Sequence, residues 1–117
     1  MVSEAKRHLE SASRIAESDP NGAYHLLYGA ARKAVWAHML ANGYRPTSAP
    51  GAHAAAAAYA IESLGKEPSI VHFDRMRRSR NRSEYATAHF SKRVIATDLA
   101  HARAIVAAAQ AALAQKA

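Results

Sequence analysis

Cysteine is absent from this 117-residue chain. Its absence excludes disulfides, thiolate metal sites and cysteine nucleophiles, and nothing in the sequence points to an oxidising compartment. The cytoplasm is the expected location. Long apolar runs are missing as well: no uninterrupted stretch approaches the ~20 residues of a membrane span. Met1-Val2-Ser3-Glu4-Ala5-Lys6-Arg7 leads into a charged helix instead of an apolar signal segment. The chain is therefore expected to be unprocessed and to have no membrane partner. It also lacks a glycine-rich phosphate loop, a nucleophile elbow and a metalloprotease motif. His8, His25, His38, His53, His72 and His101 include no pair spaced three or four residues apart, so neither a metal nor another cofactor is expected.

Acidic residues are few, nine against sixteen Lys and Arg, and the formal charge of +7 favours a polyanionic partner such as RNA, DNA or an acidic protein. Hydrophobic residues make up 50% and charged residues 21%, which is the balance of a folded globular chain and not of a disordered one. The length suits a single domain, residues 1–117, with one hydrophobic core.

Helical spacing dominates the sequence. From Val2 to about Ser18, Ala5, Leu9, Ala12 and Ile15 or Ala16 share a stripe. Asp19-Pro20 reads as an N-cap followed by proline at the first helical position. The helix it opens extends to Asn42 and Gly43 through a face of Tyr24, Leu27, Tyr28, Ala31, Val35 and Met39. The Gly43–Gly51 stretch, rich in glycine and proline, is a loop. Ala52 to Leu64, with five consecutive alanines, forms a third helix ended by Gly65. Pro68-Ser69 opens a fourth that runs to about Ala86 or Ala88. Ser91 caps a fifth, whose apolar face is Val94, Ile95, Leu99, Ala102, Ile105, Val106, Ala109 and Leu113. The expected fold is all-α, an up-and-down bundle of four long helices and one shorter or less regular one. Tyr24, Tyr28 and Trp36 are expected to pack into it instead of stacking on bases.

The most unusual stretch is Phe73-Asp74-Arg75-Met76-Arg77-Arg78-Ser79-Arg80-Asn81-Arg82-Ser83-Glu84-Tyr85, with five arginines in eight positions. On a helical wheel Arg80 falls with Phe73, Met76, Arg77 and Glu84, which draws it toward a core or an interface where Glu84 is the nearest acceptor. Arg75, Arg78 and Arg82 gather on the opposite side as a cationic ridge. That ridge is either a solvated face or a phosphate-contacting one that reads no sequence.

Arg80-Asn81-Arg82-Ser83-Glu84-Tyr85 resembles the signature of the HEPN superfamily, in which an arginine and a polar residue precede a histidine after four to six intervening residues. The long second helix with Tyr24-His25-Leu26-Leu27-Tyr28-Gly29-Ala30-Ala31-Arg32-Lys33-Ala34, the Arg45-Pro46-Thr47 loop and the alanine-rich last helix are also similar to bacterial HEPN proteins. The resemblance implies a metal-independent endoribonuclease site where the motif helices of two subunits meet in a symmetric homodimer. Such proteins act as toxins or toxin-like parts of toxin–antitoxin and defence systems, often paired with a nucleotidyltransferase antitoxin. By this resemblance Arg80 would stabilise charge on the scissile phosphate and Asn81 would orient it. The histidine position after four intervening residues is occupied by Tyr85, whereas Arg82 reaches His89 across six. Two registrations therefore stand, Arg80 with Tyr85 and Arg82 with His89, beside a third reading as a non-catalytic dimeric module that binds RNA or a protein partner.

Overall fold

The computed structural model describes residues 1–47, 49–85 and 90–116, the side chains of residues 83–85 excepted. Among these residues five α-helices carry the fold: α1 Val2–Ile15, α2 Pro20–Ala41, α3 Ala52–Leu64, α4 Phe73–Tyr85 and α5 Lys92–Lys116. No strand occurs among the described residues. Among the described residues, instead of four long helices and one shorter, there are two long ones, α2 with 22 residues and α5 with 25, and three of 13 or 14, while the expected end of the fourth helix at Ala86 or Ala88 lies outside them.

The ends of the helices follow from capping chemistry. The Gly22 N–H donates to the Asp19 carboxylate at 3.0 Å, and Pro20 fills a position whose N–H would have had no helical acceptor. The Val94 N–H donates to Ser91 Oγ at 3.1 Å and opens α5 in the same way. Gly43, with φ of +84°, turns the chain out of α2 in a conformation that side-chain-bearing residues rarely adopt. Gly65 stops α3 for a different reason, since its φ is ordinary and a Cβ there would collide with the Ile61 carbonyl oxygen.

The segment expected as a single fourth helix from Pro68 is divided. Pro68–His72 is a 3-10 helix and only Phe73 onward is α-helical. Glu67 caps the tighter turn by accepting the Ser69 N–H at 2.7 Å. The adjacent β-branched Ile70 and Val71 weaken the α-helical alternative.

At the centre, α2 packs chiefly against α1 and α5, with α3 and α4 laid against its remaining faces. The whole expected α2 stripe of Tyr24, Leu27, Tyr28, Ala31, Val35 and Met39 is buried. Against it lie Ala5, Leu9 and Ala12 from α1 and Ile95, Ala102, Ile105, Val106 and Ala109 from α5. Val94, expected on that apolar face, is exposed. Alanine recurs through the core because a side chain of one carbon lets helix backbones approach closely while its helix propensity is the highest available. Within the alanine run of α3, Ala56 and Ala57 are buried and Ala54, Ala55 and Ala58 face solvent.

Ala12 is fully buried in α1. Ala12→Leu should therefore destabilise by about 1–3 kcal/mol through overpacking, read as a lower urea midpoint with an unchanged slope.

Candidate functional site

The arginines of α4 divide differently from the division that a helical wheel suggests. Arg75, expected on an exposed ridge with Arg78 and Arg82, grips Asp98 of α5 with two hydrogen bonds: Nη2 to Oδ1 at 2.7 Å and Nη1 to Oδ2 at 3.1 Å. The Tyr24 hydroxyl of α2 donates to the same Oδ2 at 2.6 Å. Asp98 is 1% exposed and lies between Ile95 and Ala102 on the face that α5 turns to the core. Burial works against its ionisation, yet the bonds from Arg75 and Tyr24 outweigh that and hold its pKa below the ordinary value. Burial, the bond to Asp98 and its negative charge push the Tyr24 hydroxyl well above its usual range. The Tyr24 ring stacks on Phe90 at 4.0 Å between centroids, which closes this network from the side. Arg75 is thus a tie between three helices.

Arg78 and Arg82 keep their solvent-facing positions. Arg78 approaches Asp74 only at 3.6 Å, with 62% of its side chain exposed. Arg77 is drawn in more firmly, its Nε donating to Asp74 Oδ1 at 2.8 Å. Arg80 lies over the buried Tyr28 ring, with its guanidinium carbon 5.0 Å from the centroid, and donates from Nη2 to Asn81 Oδ1 at 2.9 Å. The inward pull expected from its alignment with Phe73 and Met76 is therefore present, and an aromatic face receives it. The side chains of Glu84 and Tyr85, and His89 as a whole, lie outside the described residues.

Tyr28, Arg32 and Trp36 follow one another at four-residue intervals along one side of α2. The Arg32 guanidinium rests over the Trp36 ring at 5.0 Å, and its Nε is buried with no hydrogen-bond partner in the described structure. The first turn of α3 brings His53 to the same side, in the wall of a small cavity of about 70 Å³ shared with Trp36, Arg45, Pro46 and Thr47. Burial pushes the Tyr28 hydroxyl up, against the charges of Arg32, Arg80 and Arg77. Partial desolvation lowers the His53 pKa although the residue as a whole remains exposed, and Arg77, Arg80 and Arg32 lower it further. Asp74 is the carboxylate that opposes them at both groups.

This face joins Arg32 of α2, His53 of α3 and Arg77, Arg80 and Asn81 of α4. Chemically it can hold an anion on several guanidiniums beside an imidazole whose neutral form is favoured. Nothing in the linear spacing of His53 marks it. It is 21 residues from Arg32 and 24 from Arg77, and only the placement of α3 against α2 and α4 joins them.

A second histidine pairing is equally invisible in the sequence: His72 and His101 stack at 4.1 Å, and Ser69 Oγ lies 2.9 Å from His101 Nδ1. No group of three or more potential ligands suited to a metal occurs among the described residues. No protein-family model, curated protein or solved structure matches this chain.

The Arg75–Asp98 pair leads to a stability prediction. Asp98→Asn or Arg75→Ala should cost about 2–4 kcal/mol, toward the low side for breaking a buried pair because 40% of the Arg75 side chain keeps contact with water. Arg78→Ala should stay within about 0.5 kcal/mol of the parent. Because Asp98 is more acidic folded than unfolded, its contribution is complete above its unfolded value near 3.8 and fades as pH falls through the lower folded value. Chemical denaturation of the parent and of Asp98→Asn between pH 7 and pH 3 measures this, and their stability difference should narrow only at the acid end.

Proposed function

We propose that this chain is a HEPN-like, RNA-directed protein that works as a homodimer, a metal-independent endoribonuclease of the toxin or toxin-like kind. A nucleotidyltransferase antitoxin is the partner that fits this reading, and the cytoplasm is the compartment. The observation that carries the proposal is the convergence of Arg80, Asn81, Arg77 and Arg32 around Tyr28, where, among the described residues, three guanidiniums lie near the carboxylate of Asp74. Such a face attracts a phosphodiester, and a guanidinium already oriented over an aromatic ring meets developing phosphate charge with little reorganisation. Asn81, bonded to Arg80, is suited to orienting the phosphate. Attack by the ribose 2′-hydroxyl also needs a proton acceptor, which in the two registrations is Tyr85 or His89.

A second reading, a non-catalytic RNA- or partner-binding module, is favoured by one feature. A phenol titrates near ~10 in model peptides, so Tyr85 is a weak base at neutral pH. In both readings Arg78 and Arg82 supply exposed phosphate contacts, and affinity for RNA falls as salt rises.

Incubation of purified protein with labelled RNA, with and without chelator, tests the proposal. The expected result is chelator-resistant cleavage that drops about 100-fold or more in Arg80→Ala while most binding survives. Retained cleavage in Tyr85→Phe together with its loss in His89→Ala would transfer the role to the Arg82–His89 registration. An intact parent that binds RNA but never cuts it establishes the non-catalytic reading instead. Sedimentation at micromolar concentration should show a dimer, and a strictly monomeric species contradicts the paired-motif arrangement.

A further inference from the structure

We propose that Arg32, Arg77 and His53 form a phosphate-binding subsite beside Arg80, which takes one phosphate group either from an RNA backbone or as the free anion. The subsite deepens the RNA-directed reading and rests on it only for the source of the phosphate. Three observations lead there. Arg32 has a buried Nε with no acceptor in the described structure, an uncompensated donor whose cost a shift of the side chain toward a hydrogen-bond-accepting oxyanion would relieve. Its guanidinium carbon lies over the Trp36 ring, 5.0 Å from the centroid, a cation–π contact that orients the group. Arg77 approaches from α4 with only 23% of its side chain exposed, so its interaction with an anion is weakly screened by solvent.

The adjoining cavity of about 70 Å³, walled by Trp36, Arg45, Thr47 and His53, has room for a few waters that a small oxyanion would displace.

His53 makes the subsite responsive to pH. It faces Arg32 from α2, Arg77, Arg80 and Asp74 from α4, and Arg45 from the loop that walls the cavity. Desolvation and the arginines favour the neutral imidazole. A bound phosphate reverses the local charge and favours the imidazolium. For an anion of fixed charge, such as a phosphodiester, binding and protonation of His53 are therefore cooperative, and affinity strengthens as pH falls through the His53 titration.

The test follows the His53 imidazole by NMR across pH in the full chain, without and with inorganic phosphate. Phosphate should move the His53 midpoint upward by about one pH unit. Arg32→Gln should weaken phosphate binding about tenfold, the effect of one lost charge-assisted hydrogen bond. Arg103→Gln, on an exposed side chain of α5 that pairs with Glu10, should match the parent. His53→Gln replaces an exposed residue, so the fold is expected to survive, and calorimetry on that variant should show a pH dependence of phosphate affinity between 5 and 8 reduced to that of the anion's own second ionisation. A uridine oligoribonucleotide without terminal phosphates separates the two sources. If it moves the midpoint at lower concentration than inorganic phosphate, the ligand is a phosphodiester, whereas a response to inorganic phosphate alone makes it the free anion. A midpoint unmoved by either probe, or moved equally in Arg32→Gln, overturns the subsite. Failure to cut RNA with the His53 response intact counts against the ribonuclease reading alone.

Discussion

A carboxylate sealed inside a helical bundle is the constraint around which the other elements are arranged. Asp98 sits on the core-facing side of α5 with almost no access to water, and an isolated charge there would cost several kcal/mol or would force protonation. The fold answers with two donors from two other helices, the Arg75 guanidinium of α4 and the Tyr24 hydroxyl of α2. Each donor depends on Asp98 in return, because a buried phenol needs an acceptor and a half-buried guanidinium needs a counter-charge. The rotational setting of α5 against α2, and of α4 against both, is thereby specified by directional bonds. The surrounding alanine surfaces are smooth and would accept other settings.

That tie also determines what the rest of α4 can do. With Arg75 drawn toward α5, the helix presents Arg78 and Arg82 to solvent and Arg77 and Arg80 toward α2 and α3. Five arginines along one helix thus perform three tasks: one structural, two solvated and two committed to a cationic face. The tyrosines of α2 follow the same logic, since Tyr24 anchors the carboxylate while Tyr28 lies beneath Arg80.

Much of this arrangement was readable from the amino-acid pattern, and the parts that were not share one cause. Asp19-Pro20, Ser91 and Gly43 mark helix ends through local chemistry, and the α2 stripe from Tyr24 to Met39 follows from periodicity alone. The Arg75–Asp98–Tyr24 network depends on residues up to 74 positions apart, and a helical wheel of α4 contains no information about a carboxylate on α5. His53 escapes for the same reason, as does the stacking of His72 on His101. The break between the 3-10 segment and α4 was hidden differently, because Pro68 is as acceptable at the start of one kind of helix as of the other.

The position of Trp36 has an optical consequence. The chain contains one tryptophan, and it is the residue on which Arg32 rests and which walls the cavity beside His53. Its emission has no competing indole elsewhere in the molecule, and a cation held against the ring belongs to its excited-state surroundings. A rearrangement of that guanidinium, or of the imidazole in the same cavity wall, alters the surroundings of the fluorophore. The cationic face therefore carries its own spectroscopic label, positioned by α2 and requiring no chemical modification of the protein.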